Sequence, residues 1–297
     1  MECNHKNILK SNDIKLSHQA IFKRYSENSE LWMHFFLYLF LNKVKWAEFN
    51  KTLCIFQKDF FDRTWQLQSL PLGESSKVIK ALSYLVNKGT ISKILFVTEK
   101  DLDFIKSANL KIKNSVKITE EFIYSVKNLI GLPGNNYQKI RQHINQFKKN
   151  YQYKVNNYKK EDLKEVRKFL EIWRKQKTKN NKETLLSLKE DFKNTQNAFN
   201  YLDKINGLKG FLVKSNDKIV GISIFGLLNN KMAIHFIIKT FYKKYKGITE
   251  FIVHEVAKNV SDTTFLNSGG YGKSESLKTH KERLRPVKIN SIYKVYF

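Results

Sequence analysis

Residues 232–250 read MAIHFIIKTFYKKYKGITE and join an apolar run to a basic turn. The apolar run from Met232 to Thr240 is rich in branched and aromatic residues, which is typical of a buried strand. Beyond Gly247, apolar residues recur at helical spacing, at Ile248, Phe251, Ile252 and Val256. The stretch therefore predicts a strand, a short basic turn and an amphipathic helix, in that order.

A turn from a strand into a helix can bind a phosphate, because the first backbone N–H groups of the helix have no partner within it. Acyltransferases of the GNAT superfamily hold the donor pyrophosphate with such a turn, usually Q/R-x-x-G-x-G/A. The segment from Lys244 to Thr249 resembles this motif with two substitutions. The resemblance implies a donor phosphate site at Lys244, Lys246, Gly247, Ile248 and Thr249. The alternative is an ordinary strand-to-helix turn in a basic protein.

The composition is that of a folded, strongly basic protein. A chain of 297 residues with 41% hydrophobic and 13% aromatic residues excludes disorder and is long enough for two domains. A formal net charge of +27 favours a polyanionic partner, either nucleic acid or an anionic membrane surface. An AT-rich genome would also produce many Lys and Asn codons, so only clustering of the charge separates the two explanations.

The cysteines and the apolar segments indicate in which cellular compartment the protein is expected. Cys3 and Cys54 lie far apart without metal-ligand spacing, so we expect a reducing compartment, no disulfide and no metal site. The apolar run from Leu31 to Leu41 is about half the roughly 20 residues of a membrane-spanning helix. It predicts a buried helix, with a helix lying on a membrane face as the alternative. Without the apolar core of a signal peptide, the N-terminus favours a cytoplasmic protein, with binding to the inner membrane face as a variant.

The first half of the chain predicts a mixed α+β unit. The pattern indicates helices at 14–42, 75–86 and 99–107, and strands at 44–49, 53–56, 64–70, 94–97, near 116 and at 122–124. The segment 131–182 then predicts two basic helices, of which the first places Ile140, Ile144 and Phe147 on one stripe. The remaining surface of that helix is basic, which favours an anion-binding face over a merely solvated one.

The second half predicts a regular order. Strands are expected at 210–214, 218–228, 232–239 and 263–267 and at the C-terminus, with helices at 248–259 and 275–284. Three antiparallel strands followed by helix, strand, helix and strand is the GNAT order.

Residues 124–147 read YSVKNLIGLPGNNYQKIRQHINQF and resemble the catalytic domain of the lysylphosphatidylglycerol synthase (phosphatidylglycerol lysyltransferase) family, in a soluble stand-alone form. The matching positions are Tyr137, Lys139, Arg141, His143, Asn145 and Phe147, whereas Ile140 and Gln142 differ. The C-terminal NSGGYGKSESLKTHKERLRP resembles the end of the family pattern, with Tyr271 in place of Asp. The resemblance implies an α+β fold of two fused GNAT-like domains, at 1–125 and 126–297, each a mostly antiparallel central sheet flanked by helices.

The membrane-bound members of this family transfer an amino acid from aminoacyl-tRNA to a lipid headgroup, and related Fem-type enzymes transfer to a peptide amine. The resemblance implies an aminoacyltransferase that has no tightly bound cofactor, uses aminoacyl-tRNA as donor and makes transient contact with anionic lipid. Through the family match, Lys281 would stabilise the developing charge on the ester carbonyl or bind the terminal adenosine phosphate. The residues Lys139, Arg141 and His143 would bind the tRNA acceptor arm or the acceptor's phosphate.

Other candidate residues surround the central strand. Alternation along the strand places four side chains on one face, those of Ala233, His235, Ile237 and Lys239. His235 is a candidate base because its ordinary pKa lies near neutrality, and a hydrogen-bonded core histidine is the alternative. Lys239 belongs to a family block, and the turn after the next strand offers Asn267, Tyr271, Ser274 and Glu275, of which Glu275 is a candidate to hold the donor's α-ammonium group.

Two other function classes stay open. An acyl-coenzyme A transferase would use the turn from Lys244 to Thr249 and would need no tRNA. A non-catalytic RNA- or membrane-binding module would bind without turnover. The aminoacyltransferase, by contrast, predicts strongly salt-dependent tRNA binding, because each neutralised phosphate releases counterions.

Overall fold

The protein is described by a computed structural model that covers residues 11–27, 29, 44–59, 64–178, 185–272 and 274–297. Its strands form one sheet in the order β1-β2-β3-β4-β5-β12-β6-β11-β10-β9-β8-β7. The strands are β1 Asn12–Asp13, β2 Val44–Phe49, β3 Thr52–Lys58, β4 Trp65–Ser69, β5 Lys93–Thr98, β6 Asn114–Ser125, β7 Lys154–Asn157, β8 Leu208–Ser215, β9 Lys218–Leu227, β10 Met232–Thr240, β11 Phe265–Asn267 and β12 Lys288–Tyr296.

Helices flank this sheet. The α-helices among the described residues are α1 Gln19–Tyr25, α2 Ser75–Asn87, α3 Glu99–Ser107, α4 Val126–Gly131, α5 Gln138–Asn150, α6 Leu163–Thr178, α7 Leu185–Tyr201, α8 Ile248–Asn259 and α9 Glu275–Arg283. Short 3-10 helices lie at Leu16–His18, Asn135–Tyr137, Lys160–Asp162 and Leu202–Lys204. Within these ranges, no helix combines the length and apolar character needed to cross a bilayer.

The two halves repeat one arrangement and then exchange strands. In each half three antiparallel strands lead through a helix to a parallel fourth strand, as β2-β3-β4-α2-β5 and as β8-β9-β10-α8-β11. The strand that follows this unit in each half, β6 or β12, then pairs with a strand of the other half. Strand β6 pairs with β11, β12 pairs with β5, and β6 and β12 pair with each other. The α+β fold with a mostly antiparallel sheet is confirmed, while the domain boundary after residue 125 stays a prediction.

Buried side chains lie on both faces of the sheet. The predicted stripe of α5 packs with α8 on one face, where the Phe147 ring lies 4.9 Å from the Phe251 ring. Helices α6 and α7 cover the other face through Val166, Leu170 and Phe199. A separate cluster fills the N-terminal half between β3, β4, β5, α2 and α3. The predicted apolar faces of the helices thus pack against both faces of the sheet, and the burial of their nonpolar area stabilises the fold.

Several sequence predictions need correction. The two strands expected near 116 and at 122–124 are one strand, β6, because pairing with β12 continues through the polar residues between them. Strand β7 and helix α7 are not among the elements that the sequence predicts. The helix expected at 14–42 is observed as Leu16–His18 and α1, and residue 28, together with 30–43 and the apolar run Leu31 to Leu41, lies outside the described residues.

Strand β10 carries a bulge that breaks the expected alternation. His235 is opposite Phe225 of β9, and Ile237 is opposite the next residue, Ile224, so Phe236 is an extra residue. Ala233 consequently packs with the α8 cluster, whereas Ile237 packs with the α6 cluster. The prediction that Ala233, His235, Ile237 and Lys239 share one face is wrong, because one inserted residue reverses the faces beyond it.

Candidate active site where strands β10 and β11 separate

Strands β10 and β11 pair over only three residues and then part. Their parallel register ends at Ile234 and Asn267. The chain beyond Asn267 stays with β6, since the Ser268 N–H donates to the Phe122 carbonyl at 3.0 Å. Strand β10 meanwhile continues to Thr240 with only β9 paired to it among the described residues. Diverging carboxyl ends of neighbouring parallel strands form a crevice, a common ligand site in sheets of this kind.

Lys281 of α9 enters this region with a buried ammonium group. Its side chain Nζ donates to the Ser268 carbonyl at 2.5 Å, to Ser268 Oγ at 2.9 Å and to the Gly269 carbonyl at 3.0 Å. Burial lowers the pKa of Lys281 to about 7, and the nearby Glu121 carboxylate partly opposes this by raising it. Lys281 is therefore a group that can both carry a positive charge and release a proton near neutral pH.

Local structure holds Lys281 in this position. The Ser274 hydroxyl accepts from the Leu277 N–H and caps the start of α9, and Tyr124 OH donates to the Lys281 carbonyl at 2.9 Å near its end. Gly270 lets the turn lie against β6, because a Cβ there would be 2.5 Å from Thr119 Oγ1. The predicted residue Lys281 is thus fixed by a capped helix and a close-packed turn.

Buried polar side chains surround the same turn. Asn267 is fully buried; its Nδ2 donates to Glu121 Oε2 at 2.8 Å, and its Oδ1 accepts from the Gly269 N–H at 2.8 Å. Glu121 is 3% exposed. Sequence reasoning found Asn267 but missed Glu121 and Ser268. The signal for Glu121 was a carboxylate immediately before the apolar run Phe122 to Tyr124, where a charged residue needs a partner.

His235 is buried and neutral. It is 4% exposed, and its Nε2 lies 2.9 Å from Ser223 Oγ. Burial first, and the positive charge of Lys281 second, together lower the pKa of His235 to about 3. This environment matches the hydrogen-bonded core histidine that the sequence left open, and it makes His235 a weak base at neutral pH.

The pKa of His235 predicts a pH-dependent stability. The unfolded chain, with a pKa near 6.5, binds the proton between pH 6.5 and 3, and the folded chain does not, so stability is lost as pH falls through this window. We expect the wild type to lose about 2 kcal/mol more than His235→Gln between pH 6.5 and 4.5. Urea unfolding of both proteins at the two pH values measures this difference, and equal losses would contradict the assignment.

The predicted tRNA-binding residues of α5 have different surroundings. Lys139 is exposed, whereas Arg141 Nη1 donates to the carbonyls of Leu132 and Gly134 and so holds the loop before the helix. His143 Nδ1 lies 2.9 Å from Glu250 Oε1, and His280 Nδ1 lies 3.8 Å from the same oxygen. Helices α5, α8 and α9 therefore meet at one carboxylate. Binding of tRNA by these residues stays a prediction.

The remaining predicted residues lie in three places: the turn between β10 and α8, the start of α9, and the sheet face covered by α6 and α7. Thr249 Oγ1 lies 3.1 Å from Thr240 Oγ1, and Lys244 and Lys246 are exposed. Tyr271 packs edge-on against Phe122, and Ser274 and Glu275 are exposed at the start of α9. Lys239 lies away from this site, because the bulge turns it toward α6 and α7, where its Nζ is 2.6 Å from Asp191 Oδ2 and 4.6 Å from the Trp173 ring.

The turn from Lys244 to Ile248 is closely covered. Tyr151 OH donates to the Lys244 carbonyl at 2.9 Å and accepts from the Lys246 N–H at 3.4 Å. Gly247 has φ +82°, and a Cβ on it would be 1.9 Å from the His143 carbonyl oxygen. Ile248 is buried and its N–H donates to the Tyr245 carbonyl. The described residues contain no group of three or more His, Cys, Asp or Glu side chains suited to hold a metal ion.

The Glu121 carboxylate predicts a shift in any pH profile that depends on Lys281. Its negative charge raises the pKa of Lys281, so Glu121→Gln should lower that pKa and move the alkaline limb of the kcat/KM profile to lower pH. Activity at pH 7 should fall several-fold. The control is Glu282→Gln, an exposed carboxylate beside Lys281 in sequence, which should leave the limb in place. An unshifted limb in Glu121→Gln would exclude this electrostatic coupling.

Comparisons with known proteins agree with this architecture. The profile described as "Phosphatidylglycerol lysyltransferase, C-terminal" matches residues 21–289. A search of curated proteins finds no match. Among solved structures, a conserved protein of unknown function from Bacteroides thetaiotaomicron superposes with a TM-score of 0.85 at 18% identity, covering 98% of this chain and 100% of that one.

Two further structures share the fold. L-PGS from Bacillus licheniformis has a TM-score of 0.69 at 15% identity, covering 97% of this chain and 94% of that one. FemX has a TM-score of 0.63 at 11% identity, covering 97% of each chain. Since the profile match spans most of the sequence, the chain belongs to the family of phosphatidylglycerol lysyltransferase C-terminal domains.

Proposed function

We propose that this protein is an aminoacyltransferase that moves an aminoacyl group from aminoacyl-tRNA to an amine or hydroxyl group of a lipid headgroup, a small molecule or a peptide. The observation that carries the proposal is the buried ammonium group of Lys281 beside the separating ends of β10 and β11. The family membership supports a transferase. Transfer from an ester needs a stabilised oxyanion, and preorganised charge in a site shielded from water supplies it.

Lys281 would act on the ester carbonyl. The acceptor nitrogen or oxygen attacks the carbonyl carbon, a new bond forms, and the carbonyl electron pair moves to oxygen. A change in the χ1 rotamer of Ser268 would move Oγ away and free one Nζ–H for this oxyanion. When the intermediate collapses, the bond to the ribose oxygen breaks, and that oxygen takes up the proton lost by the acceptor. His235 stays neutral during this reaction at neutral pH, so it adds no second positive charge near Lys281.

The turn before α8 weighs against an acyl-coenzyme A donor. A pyrophosphate would have to reach the backbone between Lys244 and Ile248, where Tyr151 OH already bonds to Lys244 and Lys246. The His143 carbonyl oxygen packs against Gly247 from the other side. Aminoacyl-tRNA needs no pyrophosphate cradle at this place, so the covered turn is compatible with it.

A transfer assay tests the proposal. Bulk tRNA is charged with labelled amino acids and incubated with the protein and a cell lysate, and label is counted separately in lipid and aqueous products. We expect label to move to one fraction and to depend on Lys281. Release of label no faster than without protein, for every amino acid tried, would contradict the proposal. Acyl-coenzyme A turnover in the same lysate would then support the second donor class, and tRNA binding without turnover the non-catalytic module.

A further inference from the structure

A basic and aromatic surface lies beyond the end of β10. We define the turn patch as Lys148 of α5, Lys177 of α6, and Tyr242, Lys243, Lys244 and Lys246 of the turn between β10 and α8. All six residues are exposed. Contacts tie the three elements together, since Tyr151 OH at the end of α5 bonds to the Lys244 carbonyl and Lys177 Nζ lies 5.0 Å from the Tyr242 ring.

The lysines of the turn patch keep their charge unneutralised. Within the part of the chain that the structure describes, none of the five forms an ion pair with a carboxylate. Some lysines elsewhere are paired, as Lys214 with Glu165 and Lys258 with Glu255 show, so what distinguishes the turn patch is that its unpaired lysines lie together. Five unpaired cations that converge from three elements form a local positive potential, which a uniform excess of lysine codons does not explain. This surface fits a polyanion.

Aromatic rings accompany these cations. Tyr242 is 45% exposed, and the Tyr245 ring packs against the Tyr151 ring at 5.0 Å with a tilt of 56°, with Lys244 Nζ 5.6 Å from the Tyr245 ring. Exposed rings set among lysines are the means by which proteins hold unpaired nucleotides, because each base can stack on a ring while its phosphate meets a cation. A membrane-docking surface would instead expose several aliphatic side chains. Within residues 241–247, the described turn between β10 and α8, Tyr242 is the one large apolar side chain that is exposed, and no aliphatic side chain is.

The turn patch is connected to the candidate active site by β10. His235 and Thr240 are about 17 Å apart along the strand. The edge between them has no paired strand on the β11 side among the described residues. An RNA resting on the patch can therefore extend its unpaired 3′ end along this edge toward Lys281.

We propose that the turn patch binds the acceptor end of tRNA, with Lys177, Lys243 and Lys244 on phosphates and Tyr242 stacked on an unpaired base. This inference rests on the proposed function, since it names where the donor of that reaction docks. It reassigns Lys244 and Lys246 from a coenzyme pyrophosphate to a polynucleotide.

The test measures binding of deacylated bulk tRNA to the full chain at several salt concentrations. The variant Lys177→Gln, Lys243→Gln, Lys244→Gln should bind about 10- to 100-fold more weakly near 100 mM salt, with a slope of log K against log salt smaller by about 2 to 3. The control variant Lys80→Gln, Lys88→Gln, Lys100→Gln carries the same change in charge on exposed lysines of the N-terminal half and should bind normally. Tyr242→Ala should weaken binding about 5- to 100-fold, and Tyr242→Phe should restore it.

The outcomes separate this inference from the proposed function. Equal weakening by both triple variants would overturn the inference, because it would show attraction to overall charge. Unchanged tRNA binding with lost binding to phosphatidylglycerol vesicles would overturn it in favour of a lipid surface, and absence of tRNA binding by the wild type would also overturn it. If tRNA binding depends on the turn patch but no aminoacyl transfer occurs, the inference holds and the proposed function fails. If transfer occurs with an unchanged KM for aminoacyl-tRNA in the triple variant, the inference alone fails.

Discussion

Lys281→Met should lower aminoacyl transfer at pH 7 by about 100- to 1,000-fold, the usual effect of removing a group that stabilises an oxyanion. Met has a similar length and no charge, so it fills the buried space of a side chain that is 7% exposed. The transfer assay gives the rate, and circular dichroism shows whether the variant is folded. Lys106→Met, on the exposed face of α3, is the matched control with full activity. A folded Lys281→Met protein with wild-type rate would remove Lys281 from the mechanism.

The same substitution gives a readout that needs no substrate. The pKa of Lys281 is lowered from 10.5 to about 7 in the folded chain, so between these values the unfolded chain holds a proton that the folded chain lacks. Stability contributed by this difference rises as pH increases from 7 toward 10.5, by at most about 1.4 kcal/mol per pH unit. Lys281→Met should lose this rise. Urea unfolding at pH 7 and 9 distinguishes the two proteins, and an identical rise in both would show that Lys281 has an ordinary pKa.

Gly247→Ala should reduce the free energy of unfolding by about 3 kcal/mol or more, because two costs coincide at this residue. Its φ of +82° is unfavourable for any residue with a Cβ, and that Cβ would be 1.9 Å from the backbone oxygen of His143. Helix α5 or the turn must move to make room. Urea denaturation measures the loss of stability.

Two other glycines separate these costs. Gly89 has φ +64°, and a Cβ on it would meet no atom within 4 Å, so Gly89→Ala reports the backbone cost alone, about 1 kcal/mol. Gly131 has neither a positive φ nor a close neighbour, and Gly131→Ala should be nearly neutral. If Gly247→Ala is no worse than Gly89→Ala, the contact between α5 and the turn is looser than the structure shows. The turn patch would then lose its fixed arrangement.

Local patterns in the sequence were enough to predict most of the helices and strands and to indicate the family. The apolar positions of 232–256 predicted a strand followed by a helix. The observed ends of β10 and α8 lie within one residue of the predicted ends. Such patterns are readable because the side-chain period of an element is fixed by its own backbone. The family blocks likewise named Lys281 and Asn267, which the structure places around one turn.

Only the tertiary structure decided which of these residues meet. The bulge at Phe236 arises from the pairing of β10 with β9, and it sends His235 and Lys239 to opposite faces although they are two alternations apart in sequence. Glu121 reaches Lys281 because β6 leaves its own half and pairs with β11. The near-neutral pKa of Lys281 comes from burial by residues distant in the chain. Sequence determined the periods and residue types, whereas register, strand exchange and desolvation depend on long-range packing that no local pattern encodes.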